Sequence, residues 1–199
     1  MKKLLALALL VGCSVAQAAT INATGTGWCN NDTGCNNTNT LAINNHFAGE
    51  SVSRIYRNWI AFNVPTYGAQ ITSATISIWN DGQNSNSNPT AVYNLYEAAS
   101  ISFGGLTNGP SLGQILVDTA NTGVDEYITI TLNAAGLAVL NANQGGQLIF
   151  GGNNDDGGQI FGYTGGVPSP FISANVIPIP AAVWLFGSAL AGLGWFRRK

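Results

Sequence analysis

Two neighbouring stretches decide the fold class: Arg54-Ile55-Tyr56-Arg57-Asn58-Trp59-Ile60-Ala61-Phe62-Asn63-Val64-Pro65 and Ile71-Thr72-Ser73-Ala74-Thr75-Ile76-Ser77-Ile78-Trp79-Asn80-Asp81-Gly82. In the first, Ile60, Phe62 and Val64 alternate with Trp59, Ala61 and Asn63 until Pro65 ends the run. In the second, Ile76 and Ile78 alternate with Thr75, Ser77 and Trp79, and Asn80-Asp81-Gly82 supplies turn chemistry. Period-2 alternation in β-branched and aromatic residues marks strands with one buried face. A slip of one residue would turn the apolar set to water, so each register is strongly specified.

The pattern continues outward. Ile128, Ile130 and Leu132 alternate with Tyr127, Thr129 and Thr131. Further strands are expected near Leu41–Asn44, Val92–Tyr96, Gln114–Val117, Gln147–Phe150, Gln159–Tyr163 and Phe171–Val176, separated by Asn- and Gly-rich segments such as Gln83–Asn88, Gly104–Gly109 and Gly151–Gly158. Only Asn133–Leu140 reads as helical, with Asn133 as its cap. About nine short strands at this spacing predict an all-β fold, a single β-sandwich or jelly roll. There is no internal repeat at a fixed period, and a body spanning 20–176 is large enough to bury its own core.

Of 199 residues only 8% are charged while 46% are apolar. That balance excludes a coiled coil, a charged disordered tail and a nucleic-acid binder. The charges are also unevenly placed. Lys2 and Lys3 open the chain and Arg197, Arg198 and Lys199 close it, leaving Arg54 and Arg57 against all nine acids in 20–176. The body therefore carries an excess of seven negative charges and no lysine.

Both ends read as addresses. Met1-Lys2-Lys3, the apolar run Leu4–Val11 and the small-x-small site Ala16-Gln17-Ala18 predict a signal peptide over 1–18, cleaved after Ala18 or Ala19. A competing reading takes Leu10-Val11-Gly12-Cys13 as a lipobox with Cys13 acylated. At the other end, Ile177-Pro178-Ile179-Pro180 precedes sixteen uncharged residues, Ala181–Phe196. Counted from Ile179 the apolar stretch is 18 residues, long enough for a transmembrane helix, with Trp184 near its start, the small residue Gly187 inside it, and the basic tail held on the cytoplasmic side.

The text Ile177-Pro178-Ile179-Pro180-Ala181-Ala182-Val183-Trp184-Leu185-Phe186-Gly187-Ser188 followed by Arg197-Arg198-Lys199 resembles the PEP-CTERM sorting signals, and among them the variant named for VPLPA. The resemblance implies an exported protein of a Gram-negative bacterium, held first at the inner membrane and processed by an exosortase at a motif marked by Pro178 and Pro180. It further implies a final place at the cell surface or in an exopolysaccharide matrix. The segment 177–199 would then be the sorting signal. The middle of the chain, Arg54–Val64 with Ile71–Ile78 and later Ile128–Asn133 with Gly136-Leu137, is similar to the bacterial surface β-sandwiches called DNRLRE domains. Pro168–Val176 departs from that family's closing Pro-Arg-Leu strand. The resemblance favours a jelly-roll-like order, and such domains are usually binding or structural modules.

With Cys13 removed in the signal peptide, Cys29 and Cys35 form an even pair in an oxidising compartment, and a disulfide is expected. Catalytic motifs are scarce: His46 is the sole histidine, no Gly-x-Ser-x-Gly occurs, and Asp125-Glu126 and Asp155-Asp156 are adjacent pairs that a strand would point apart. No enzyme is expected, and no cofactor. Asn30-Asn31-Asp32 and Asn153-Asn154-Asp155-Asp156-Gly157-Gly158 have oxygen-rich compositions that suit Ca²⁺, though Asx turns explain them equally well. Trp28, Trp59, Trp79, Tyr93, Tyr96 and Tyr163 are candidates for a sugar-stacking platform, with Trp79, Trp59 and Tyr93 foremost. Trp79 stands opposite Ile76 and Ile78, which favours an outward position, whereas core packing is the ordinary use of such rings. Arg54 and Arg57 suit either an anionic polysaccharide or an ion pair among the surplus acids. The expectation is a non-enzymatic surface protein. The alternatives are a carbohydrate-binding module using exposed aromatics, and a small glycan-active enzyme.

Overall fold

The computed structural model describes residues 16–36, 46, 48–51, 53–80, 90–118, 126–154, 158–161 and 168–178. Eleven strands form one antiparallel sheet that nearly closes on itself, eight of them along a single path. In chain order they are β1 (Gln17–Asn30), β2 (Gly34–Asn36), β3 (Ala48–Ser51), β4 (Arg54–Asn63), β5 (Ala69–Asn80) and β6 (Thr90–Glu97). After a 3₁₀ turn at Gly105–Thr107 come β7 (Ser111–Asp118), β8 (Glu126–Thr131), helix α1 (Ala134–Ala142), β9 (Gln147–Asn154), β10 (Gln159–Ile160) and β11 (Phe171–Pro178). The all-β expectation is met, and the alternating stretches fall on β4, β5 and β8, with Val64 and Leu132 one residue beyond their strands. The expected Leu41–Asn44 strand, the leader over 1–15 and the tail from 179 onward lie outside the described residues. Among the described residues no helix is long and apolar enough to cross a membrane.

The path runs β7-β6-β9-β4-β1-β11-β5-β8 and bends at β1. Gln17–Asn22 of β1 pair with β11, and Ala23–Asn30 pair with β4, with a bulge between Ala23 and Gly25 at the bend. A bulge adds local twist, which lets one strand serve two sheets. The front sheet is thus β1-β11-β5-β8 and the back sheet is β1-β4-β9-β6-β7. At the open seam, Gly113 of β7 lies so near the Thr131 carbonyl of β8 that a methyl group there would collide with it.

One core fills the space between the sheets. Ile76, Ile78, Ile130 and Ile172 enter from the front, and Ile60, Phe62, Tyr93 and Phe150 from the back. All eight are within 1% of complete burial. Helix α1 plugs one end with Leu140. Its Asn133 cap accepts from the Gly136 N–H (2.9 Å), as the sequence predicts. Asn141 then fastens the helix to β5 by accepting from the Ile71 N–H (2.9 Å) and donating to the Ile71 carbonyl (2.8 Å).

Both predicted edges of the body fall inside strands. β1 begins at Gln17, so the Ala18 cleavage point lies within it, because β11 offers partners: Gln17 pairs with Val176 and Ala18 with Asn175. At the far end β11 runs past 176, pairing Ile177 with Gln70 and Pro178 with Ala69. Cleavage after Ala18 would still leave four of the six β1–β11 pairs, Ala19 through Asn22.

Candidate functional site

The outer side of the front sheet is a grid of small hydroxyl and amide side chains with aromatic rings at one end. Register places Thr20, Ser173, Thr75 and Thr131 in one row across β1, β11, β5 and β8. The next row is Asn22, Phe171, Ser77 and Thr129, and beyond it Trp79 sits opposite Tyr127. Strand spacing of about 4.8 Å and a two-residue step of about 6.7 Å fix the mesh of this grid. Thr20, Ser173 and Thr131 are exposed and Thr75 is half-buried. No described side chain engages any of these four hydroxyls. Ser77 and Thr129, by contrast, share a hydrogen bond of 3.0 Å. A groove of about 200 Å³ runs over the row, lined in part by Thr20, Thr75, Thr131, Ser173 and Asn175.

Trp79, Tyr127 and Phe171 meet edge to face, with ring centroids 5.0 Å apart for the first pair and 5.1 Å for the second. Tyr127 is 37% exposed, while Trp79 and Phe171 are half-buried. Burial pushes the Tyr127 phenol above its ordinary range, and its hydroxyl donates to the Ser169 carbonyl at 3.4 Å. Trp79 is held from behind, where the buried His46 Nε2 donates to its carbonyl oxygen (3.3 Å). None of the described residues on this face is charged.

The back sheet treats its aromatics differently. Trp59 is buried to 7% in a second small core with Cys29, Ala61 and Leu106, beneath the segment 98–110. Its indole lies flat on β1, where a Cβ at Gly27 would stand 2.5 Å from Nε1. Arg57 clamps the cover, with its guanidinium 4.1 Å from the centre of the Phe103 ring and Nη1 donating to the Phe103 carbonyl (2.6 Å). Tyr93 is wholly buried, its hydroxyl donating to Asn58 Oδ1 (2.8 Å). Removal from water drives its phenol pKa far up. Neither Trp59 nor Tyr93 can therefore belong to a surface platform as they stand. Trp28 stacks edge-on against Tyr56 (5.2 Å) and is half-buried, as is Tyr96. Tyr163 lies outside the described residues.

Tyr127 and Phe171 complete the cluster without being singled out by the sequence. The signal was present for Tyr127, which alternates against Ile128 and Ile130 as Trp79 does against Ile76 and Ile78. Phe171 opens a strand, where alternation has only one side to read.

Cys29 and Cys35 are directly paired across β1 and β2 and joined as a disulfide. The turn between them is built by Asn30, whose Oδ1 accepts from the N–H groups of Asp32 (3.0 Å) and Thr33 (2.6 Å). Gly34 follows with φ of 89°, the left-handed position that a three-residue hairpin needs. The other oxygens of this supposed Ca²⁺ loop are also engaged. Asn31 Oδ1 accepts from the Ile55 N–H (3.0 Å), and the Asp32 carboxylate binds Arg54 (2.9 Å). In the second oxygen-rich loop Asn154 donates to the Gly158 carbonyl (3.1 Å), and Asp155 and Asp156 are outside the described residues. Among the described residues no three His, Cys, Asp or Glu are grouped to share a metal ion. Glu126 is exposed at the start of β8, and Asp125 is outside the described set.

A larger hollow of about 530 Å³ opens where β4 and β9 meet their turns, lined by Asn63–Pro65 and Gly145–Gln147. Two of its six residues are glycines, and none carries a nucleophile or a charge. The front-sheet groove has the richer chemistry. No protein-family model matches this chain, and no curated protein matches it.

Proposed function

We propose that this chain is a non-catalytic, exported β-sandwich protein whose work is done on the outer face of its front sheet, at the bacterial surface or in an exopolysaccharide matrix. The eight long strands, numbered in chain order, run 1-8-3-6 in the front sheet and 2-7-4-5 in the back. We read that order as a jelly roll, two Greek keys wound together. The observation carrying the export reading is the Cys29–Cys35 disulfide, a bond that persists in oxidising compartments and rarely in a reducing cytosol. The leader over 1–18 and the sorting signal over 177–199, with the Pro178 and Pro180 motif, then supply the route: secretion, retention by the helix Ala181–Phe196, and release by an exosortase-type enzyme.

A second reading, a carbohydrate-binding module, is favoured by one feature: Trp79 and Tyr127 stand together on the open face. Flat amphipathic rings cover the apolar faces of sugars while their polar edges stay wet.

The intact mass of the protein recovered from cells and from medium tests the export reading. The expected chain starts at Ala19 or Thr20, ends near Pro180 and is two hydrogens light. Such a chain keeps the β1–β11 pairs from Thr20–Ser173 through Asn22–Phe171 and all of β11. A full-length tail with a lipid on Cys13 would replace matrix release by lipoprotein anchoring.

A further inference from the structure

We infer that the front face binds an uncharged polysaccharide chain running along β5, with Trp79 and Tyr127 gripping one sugar and the row Thr20–Ser173–Thr75–Thr131, about 13 Å further on, meeting the hydroxyls of a later sugar of the same chain. This rests on the reading that the exported body meets polysaccharide, and it names the class.

Charge selects the occupant. The body carries seven surplus acids, and its two arginines are both on the back sheet. Arg54 is paired with Asp32, and Arg57 is committed to Phe103. An anionic chain on the front face would find no cation there and a negative body around it. A cationic chain would find no carboxylate on the described face. A neutral polyol needs neither.

Shape and hydrogen-bonding capacity agree with that choice. The rings meet at 80° and 76°, so they form a corner and not a flat plate, which suits one chain and not a crystalline surface. Four hydroxyls unengaged by other described residues, about 4.8 Å from strand to strand, offer both donors and acceptors. The groove over them, about 200 Å³, has the volume of about seven liquid waters. Exchanging solvent there for sugar hydroxyls conserves hydrogen bonds, and covering Trp79 adds apolar burial.

The test is calorimetric titration of the full-length chain, kept in a detergent without a sugar headgroup, using cellohexaose, xylohexaose and maltohexaose as neutral probes and an alginate hexamer as the anionic one. At least one neutral chain should bind, and alginate should bind at least tenfold more weakly. Trp79→Ala should weaken the neutral chain at least tenfold. Thr75→Val with Thr131→Val, which keeps shape and removes two hydroxyls, should weaken it about three- to tenfold at an unchanged melting temperature. Should Trp79→Ala fail to fold, the double valine variant decides. Absence of binding by every neutral probe, preference for alginate, or neutral binding indifferent to both variants would each overturn the assignment. The export reading is judged separately, by the mass of the processed chain.

Discussion

Trp59 on β4 and Trp79 on β5 stand on the outer sides of strands whose inner sides carry Ile60 and Phe62 in one case, Ile76 and Ile78 in the other. Over the first, the segment 98–110 folds back. Leu106 seats its 3₁₀ turn so close to Gly151 of β9 that a methyl group there would strike the Leu106 carbonyl. Nothing among the described residues covers the second to that degree. The same local pattern yields a core residue on the back sheet and a surface residue on the front. A distant loop decides between them, and it reaches Trp59 because Gly27 and Gly151 leave room.

The strongest way to break this comparison is to truncate each ring. Trp59→Ala should cost about 3–5 kcal/mol in urea unfolding, the range for removing a buried aromatic ring. Trp79→Ala, which removes a half-buried ring, should cost about 1–2 kcal/mol. Equal costs would mean that the two faces are equally covered. The disulfide sharpens the same contrast, because Cys29 and Cys35 are part of the back-face cluster. Replacing both by alanine should remove about 2 kcal/mol on the chain-entropy account of so short a loop. It should leave binding on the front face unchanged.

How far the sequence foretold this depends on which residues carried apolar contrast. β4, β5 and β8 are legible since their inner faces are Ile, Leu and Phe against Thr, Ser and Asn. β1 is not: its middle reads Thr24-Gly25-Thr26-Gly27, where Thr26 is buried and the glycines serve the Trp59 ring, so burial leaves no hydrophobic trace. Its first residues, Gln17 and Ala18, also read as the end of a leader. The buried side chains Asn58, Asn80 and Asn94 similarly look like surface residues until their hydrogen bonds are known, as with Asn80 Oδ1 accepting from the Phe161 N–H (3.0 Å). Among site residues, Trp79 could be placed by parity alone. Trp59 could not, because its cover comes from residues some forty positions away. Tyr93 is packed over Gly152 on a strand that sequence order does not make its neighbour.

Tyr93 offers the next largest effect. Tyr93→Phe leaves Asn58 Oδ1, in a fully buried side chain, without that donor, and should cost about 1–2 kcal/mol near neutral pH. The pH dependence has a definite sign. Burial raises the folded-state pKa of Tyr93, and those of Tyr67 and Tyr127 in the same direction. Below about pH 10 the phenols are protonated in both states and contribute no slope. Above it the unfolded chain releases protons that the folded chain retains, so stability falls as pH rises, by up to about 1.4 kcal/mol per pH unit for the fully buried Tyr93. The phenylalanine variant should therefore lose stability less steeply above pH 10. Parallel curves for variant and parent would show that Tyr93 is not the group responsible.

The smallest effects separate the two arginines. Arg54 meets Asp32 in the open, with both side chains well exposed, and a pair in water gives up in side-chain freedom most of what it gains in attraction. Arg54→Ala should leave the unfolding midpoint within experimental scatter at any salt concentration. Arg57 is half-buried and couples a stacked guanidinium to a carbonyl in the segment that covers Trp59. Arg57→Ala should cost about 1 kcal/mol, the scale of a partly desolvated cation–π contact with its hydrogen bond. The more telling readout is optical: if the cover loosens, acrylamide should quench more of the tryptophan emission in Arg57→Ala than in the parent, while Arg54→Ala matches the parent. Equal quenching in all three would mean that Leu106 and the glycine-floored contact with β9 hold the segment unaided, and that the difference between the two faces is written in shape alone.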